Sequence, residues 1–79
     1  MKVSVLFFGA TADVAGTRKR EVEIESGASS SSVFEGILES MPELRRHKLL
    51  FSVNQEFYSG SEEIKEGDEL AIFTAVSGG

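Results

Sequence analysis

The last three residues, Ser77, Gly78 and Gly79, are the part of this sequence whose residue types could do chemistry. Because glycine has no side chain, two terminal glycines let the backbone enter a narrow channel and leave the terminal carbonyl open to a nucleophile. A free carboxylate on Gly79 is therefore a candidate acyl-transfer group, with Ser77 and Gly78 forming the passage behind it. Chain ends are also commonly small and polar without any role, and on these residues alone that alternative stays open.

These residues close the segment 74–79, which follows an apolar stretch ending at Phe73. At ~3.3–3.6 Å per residue, the segment could extend roughly 20 Å from a folded body. We expect residues 1–73 to form one folded domain and residues 74–79 to form a flexible tail. Phe73 and Val76 stand where the body gives way to the tail, so a partner protein could bury both side chains as anchors.

The overall composition favours one small folded domain. The chain has 79 residues, 41% of them hydrophobic and 27% charged, which suits an ordinary globular protein with one modest core. A net charge of −5 argues against nucleic-acid binding, which needs clustered cations. No apolar stretch approaches the roughly 20 residues that cross a bilayer, and no cleavable leader is evident. We therefore expect a cytoplasmic protein that binds neither nucleic acid nor membrane.

The absence of cysteine restricts the chemistry that side chains could supply. Without a thiol there can be no disulfide, thiolate nucleophile, iron–sulfur ligation or usual zinc site. His47 is the only histidine, and among its charged neighbours it is expected to be exposed and to form neither a metal site nor a catalytic dyad. We expect no metal site.

Charged clusters offer weaker candidates for binding. The basic runs 18–20 and 45–48 lack interleaved aromatic residues, so we interpret them as solubilising surface. An acidic set could either dock a basic partner surface or be a solvated loop edge, and both interpretations stay open. The turn residues of this set indicate no cleft that would support general acid–base work. The acidic set comprises Glu62, Glu63, Glu66, Asp68 and Glu69.

The hydrophobic pattern predicts an α+β fold. Residues 2–8 indicate a central strand, buried on both faces at one end; 10–15 indicate a short helix that Gly16 ends; and 18–25 indicate a half-exposed strand near an edge. Further strands are predicted at 49–53, 57–58 and 69–73, the last of them buried beside the first. The phenylalanines before Phe73 are expected mainly in the core.

One main helix is predicted after the serine-rich segment 26–32. Ser32 and Glu35 fit a capping box, and apolar residues from Val33 to Met41 recur at spacings of three and four, which suits packing on a sheet. Pro42 should stop the helix or lie in the turn just after it. Gly36, inside the helix, suggests a close approach between helix and strand.

Several segments together cover nearly the whole chain and point to a family. They are Val5-Leu6-Phe7-Phe8 with the short helix after it, Val53-Asn54-Gln55, residues 66–73, and Val76-Ser77-Gly78-Gly79. The most specific features are the turn 67–69, a short distance before the Gly-Gly terminus, and the aliphatic-aromatic first strand. In these features the sequence resembles the ubiquitin-like β-grasp proteins and, more narrowly, the sulfur-carrier small subunits of molybdopterin synthase.

The resemblance implies a ubiquitin-like β-grasp fold with a mixed sheet of four to five strands and one helix across it. It implies a carrier rather than an enzyme: an activating enzyme adenylates Gly79 with ATP, sulfur displaces AMP, and a thiocarboxylate results. The chain itself would bind no cofactor. The large catalytic subunit, in a heterotetramer of two small and two large subunits, would take the tail and use its sulfur for the dithiolene of molybdopterin. Asp68 and Glu69 would join Phe73 and Val76 in partner binding.

One departure and two alternatives accompany this resemblance. The family tail often has proline where this chain has Thr74 and Ala75, so the tail here would lose more conformational entropy on insertion. The related thiamine-pathway sulfur carriers also end in Gly-Gly. A ubiquitin-like modifier would instead be joined through Gly79 to lysines of other proteins.

Overall fold

The computed structural model describes residues 1–74, which form a five-stranded mixed sheet with one main helix across a single face. This is the ubiquitin-like β-grasp fold of the α+β class that the sequence predicts. A short helix and a 3₁₀ helix lie in the connections. In chain order the elements are β1 (Lys2–Phe7), α1 (Ala10–Ala15), β2 (Lys19–Glu23), α2 (Ser30–Ser40), the 3₁₀ helix (Pro42–Arg46), β3 (Leu49–Val53), β4 (Glu56–Phe57) and β5 (Glu69–Thr74).

The first and last strands lie side by side in the middle of the sheet. The strand order is β2-β1-β5-β3-β4, with β1 and β5 parallel and every other neighbouring pair antiparallel. This arrangement confirms that the last strand is buried beside the first and that the charged strand β2 lies at an edge, where charged side chains discourage pairing with other chains.

Strand β1 is buried on one face only. Val3, Val5 and Phe7 point into the core beneath α2, whereas Leu6 is half-buried on the other face and Phe8, just after the strand, is half exposed. The prediction of a strand buried on both faces at one end is therefore wrong. A continuous apolar run still alternates between two faces, and among residues 1–74 only the inner face is covered by a helix.

Helix α2 contributes four buried apolar side chains to the core on that inner face. Val33, Phe34, Ile37 and Leu38 are buried, as their spacing predicts, and the Phe34 ring lies 4.4 Å from that of Phe51. Leu44, Ile64, Leu70 and Ile72 complete this core with side chains that have no exposed surface.

The start of α2 differs from the predicted capping box. Ser29 is the N-cap, and its hydroxyl accepts a hydrogen bond from the Ser32 amide at 3.3 Å. In a run of four serines, the position of the cap depends on which hydroxyl is needed elsewhere. Here Ser30 is buried and donates to Glu62, a contact between residues distant in the chain, so the helix begins before Ser32.

Gly36 does not mark a close approach between helix and strand, and that prediction is wrong. It is exposed, and a Cβ atom built there would find no atom of another element within 4 Å. Pro42 opens the 3₁₀ helix directly after α2 ends, which confirms its place in the following turn.

A two-residue turn connects β3 to β4. Asn54 and Gln55 have φ values of 51° and 71°, the left-handed conformation at both positions that a tight hairpin of this twist requires. The return strand is Glu56–Phe57, one residue earlier than predicted. Strand β5 runs to Thr74, and residues 75–79 lie outside the described residues. No helix within residues 1–74 is long and apolar enough to cross a bilayer.

Candidate functional site

The carboxyl end of β5 is the point from which the predicted tail would leave, and two neighbouring strands fix its position. Thr74 is the register partner of Leu49 on β3. On the other side, the Phe8 amide donates to the Ile72 carbonyl at 3.1 Å. The last residue of β5 is therefore still part of the sheet.

Thr11 also contacts the carboxyl end of β5. Its side chain is fully buried, and its hydroxyl lies 2.9 Å from the Ile72 carbonyl oxygen and 2.7 Å from that of Phe8. Because it can donate to either carbonyl, Thr11 ties α1 to the place where β1 and β5 end. Gly9, at φ 60°, makes the turn into α1, and a Cβ there would lie 3.6 Å from the Thr74 hydroxyl. No sequence motif drew attention to Thr11.

The sheet face opposite α2 carries an apolar cluster beside this end. It contains the three large hydrophobic side chains that are exposed among the described residues, at 50%, 37% and 75%, together with half-buried Phe73. We call this cluster the outer patch. The outer patch comprises Phe8, Leu50, Phe57 and Phe73.

Register and ring contacts both show that the outer patch is continuous. Leu50 pairs with Phe73 across β3 and β5, and Phe57 pairs with Ser52 on the same face. The Phe73 ring lies 6.5 Å from that of Phe8 and 6.4 Å from that of Phe57. Phe8 and Phe57 are therefore not core residues, and the prediction that placed them there is wrong, because strand alternation puts them on the face that α2 does not cover.

The turn that carries Asp68 and Glu69 lies at the other end of β5. From Glu69 to Thr74 the strand spans ~17 Å, so Asp68 and Glu69 are remote from Phe73 and from the end of the strand. The Asp68 carboxylate accepts hydrogen bonds from the Asn54 side chain at 3.1 Å and from the Lys65 amide at 2.8 Å. These contacts close the turn and bind it to the β3–β4 hairpin.

Glu62 is the most constrained carboxylate among the described residues. It accepts hydrogen bonds from the Ser30 hydroxyl at 2.5 Å, from the Ser59 amide and hydroxyl, and from the Gly60 amide at 2.9 Å. The Ser30 hydroxyl, and after it the Ser59 amide, lower the pKa of Glu62 from 4.5 to about 2. Glu62 is thus a fixed ionised acceptor that joins the loop before β5 to the start of α2. The sequence did not indicate this contact.

Among residues 1–74, no three acidic or histidine side chains lie close enough together to hold a metal ion. His47 is exposed, as predicted. Val76, Ser77, Gly78 and Gly79, the remaining predicted site residues, lie outside the described residues. The structure thus brings Phe73 together with three unpredicted apolar neighbours and separates it from Asp68 and Glu69.

Comparison with known sequences places this architecture in a family. Residues 5–79 match the model of the ThiS family. The chain is 33% identical to the molybdopterin synthase sulfur carrier subunit of Mycobacterium tuberculosis, over 100% of this chain and 99% of the relative. It is 32% identical to the subunit of the same name from Chlamydomonas reinhardtii, over 100% of both chains.

Solved structures share the same fold. The small archaeal modifier protein SAMP1 of Haloferax volcanii superposes with a TM-score of 0.86 at 27% identity, covering 100% of both chains. A chain from the complex of subunits 1 and 2 of the molybdopterin-converting factor of Helicobacter pylori superposes with a TM-score of 0.71 at 20% identity, again over 100% of both chains. At that identity the second likeness concerns the fold alone. With its β-grasp architecture and a family match that extends from the first strand to Gly79, this chain belongs to the ThiS family.

Proposed function

We propose that this protein is the sulfur-carrier subunit of a molybdopterin synthase, with sulfur carried as a thiocarboxylate on Gly79. The observation that carries the proposal is the position of the outer patch: an unpartnered apolar surface lies beside the last residue of the strand that leads into the Ser77-Gly78-Gly79 segment. The names of the two curated relatives support this function over the thiamine-pathway and protein-modifier alternatives.

The proposed chemistry takes place on the terminal carboxylate of Gly79. An oxygen of that carboxylate attacks the α-phosphorus of ATP on an activating enzyme, which forms the acyl-adenylate and releases pyrophosphate. Hydrosulfide released from a sulfur donor then attacks the acyl carbon, and the bond from that carbon to the AMP oxygen breaks, which leaves the thiocarboxylate and free AMP. The chain lacks cysteine, so it has no thiol that could carry the sulfur instead. ATP belongs to the activating enzyme, and the chain binds no cofactor of its own.

The partner would supply the catalytic side chains. The two curated relatives are each named as a subunit of molybdopterin synthase, which supports a large-subunit partner for this chain. We propose that this chain and the large subunit form a heterotetramer of two small and two large subunits. The outer patch would dock on that subunit while Val76 anchors the tail and Ser77 and Gly78 pass through its channel. This makes the chain a non-catalytic donor subunit in the cytoplasm.

Docking through Asp68 and Glu69 remains a separate prediction. Both residues lie ~17 Å along β5 from the point where the tail begins, so a partner that covers the outer patch need not contact them. Replacing both carboxylates with amides and measuring affinity for the large subunit tests this prediction.

Deletion of Gly79 tests the central chemistry. In a reconstituted synthase with the activating enzyme, ATP and a sulfur donor, the deletion should abolish molybdopterin formation and leave the thermal unfolding midpoint unchanged. A control variant, Glu39→Ala on the exposed side of α2, should retain activity. Full activity of the deletion variant would refute the role of Gly79.

A further inference from the structure

Exposed cations surround the end of the molecule from which the tail would leave. Lys48 directly precedes Leu49, the register partner of Thr74. On the other side, Lys19 pairs with Leu6 near the end of β1, and the Arg18 carbonyl accepts from the Phe7 amide at 2.9 Å. Arg46 ends the 3₁₀ helix that packs against α1. We call Arg18, Lys19, Arg46 and Lys48 the basic collar.

The basic collar has a local excess of positive charge. All four of its side chains are exposed, and no ion pair within residues 1–74 involves any of them. The helices at this end carry Asp13 on α1, Glu39 in the last turn of α2 and Glu43 on the 3₁₀ helix, three carboxylates against the four cations of the collar.

The opposite end of the sheet is acidic. Strands β1 and β5 begin there, β2 ends there, and the turns around them carry most of the carboxylates. These include Glu23, Glu25, Glu56, Glu63, Glu66, Asp68 and Glu69, with Lys2, Lys65 and the N-terminal ammonium of Met1 as the cations among them. The chain is therefore strongly polarised along β5, although its net charge is −5.

We propose that the basic collar docks against an acidic rim around the partner channel that receives the tail. This inference rests on the proposed function and adds the charge of the partner surface to it. The outer patch adjoins the collar, so a single docked surface would bury the apolar side chains at its centre and pair the cations at its edge. Rim charges of this kind mainly accelerate and orient encounter, whereas the buried apolar centre holds the complex together.

A protein rim suits this surface better than a nucleic acid. The collar has only four cations on a chain whose net charge is −5, whereas nucleic-acid binding needs clustered cations that replace the counterions of many phosphates. A localised acidic patch on a protein can contact the collar without contacting the acidic end of the sheet. Polarisation of this kind would also turn the tail end toward the partner before contact.

Two double charge reversals test the proposal. Arg18→Glu with Lys48→Glu alters the collar, and Lys2→Glu with Lys65→Glu makes the same change in net charge at the acidic end. Association of each full-length variant with the large subunit of molybdopterin synthase from the same organism is followed by stopped flow at low and high ionic strength. Thermal unfolding of both variants checks that they are folded.

At low salt the collar variant should associate about tenfold more slowly than the wild type, and this difference should shrink toward onefold near 0.5 M salt because charges are then screened. The matched control should stay within about twofold of the wild type at low salt. If both variants associated equally slowly, net charge alone would explain the change and the proposal would be overturned. Slow association of the collar variant that persists at high salt would also overturn it. If the wild type does not bind the large subunit at all, the proposed function fails as well.

Discussion

Replacing Phe57 with alanine should weaken partner binding more than it weakens the fold. The Phe57 side chain is 75% exposed and belongs to the outer patch. If a phenylalanine can bury about 200 Å², then a partner could still cover about 150 Å² of it, an upper limit of about 4 kcal/mol at ~25 cal/mol per Å². Since binding also costs side-chain ordering, we expect about half of this free energy, roughly a 30-fold increase in Kd.

The loss of folding stability in Phe57→Ala follows from the buried fraction of the same side chain. The buried quarter of Phe57 corresponds to about 50 Å², so the free energy of unfolding should fall by only about 1 kcal/mol. Titration calorimetry with the large subunit measures Kd, and chemical denaturation measures stability. Glu39→Ala, on the exposed side of α2, is the control and should bind as the wild type does. A folded Phe57→Ala variant with an unchanged Kd would refute the role of the outer patch in docking.

Three further predictions concern the fold and the tail exit. Gly36→Ala should raise the free energy of unfolding by up to about 1 kcal/mol, because Gly36 is in a helix interior with open space around it; a loss of stability in denaturation would contradict this. Glu62→Gln should cost stability near pH 7, and thermal scans should show the difference from the wild type shrinking below pH 4.5 toward pH 2. The depressed pKa of Glu62 stabilises the fold above the unfolded-state value and ceases to do so as the pH falls through about 2; a constant difference would disprove it. Thr11→Val should lower the free energy of unfolding by about 1 kcal/mol, since the hydroxyl is lost and both carbonyls keep a backbone donor. Thr11→Ser keeps the hydroxyl and should preserve the protection of the Phe8 amide in hydrogen exchange, which Thr11→Val should reduce. Equal exchange of this amide in the serine and valine variants would argue against a stabilising role of the Thr11 hydroxyl.

The sequence predicts the elements of this fold well because their patterns are local. The spacing of apolar residues in α2, the charges on β2 and the apolar run of β5 each depend on a few neighbouring residues, and the central pairing of β1 with β5 follows from their shared apolar character. The family resemblance further predicts how these strands and helices are connected in the fold.

Features that depend on contacts between residues distant in the chain could not be predicted from the sequence. The cap at Ser29 rather than Ser32 depends on Glu62, which lies some thirty residues further along the chain. Exposure of Phe57 depends on which face of the sheet a helix covers, information that no local pattern contains. The separation of Asp68 from the tail end follows from the length and direction of β5, although the two are close in the sequence.

The mass of the full-length chain after reaction with its activating enzyme, ATP and a sulfur donor tests the central claim most directly. The account predicts a mass gain equal to replacement of one oxygen by sulfur, located by fragmentation at Gly79 and absent when ATP is omitted. An unchanged mass under conditions that convert ATP to AMP would contradict it, as would conjugation of Gly79 to lysines without any thiocarboxylate.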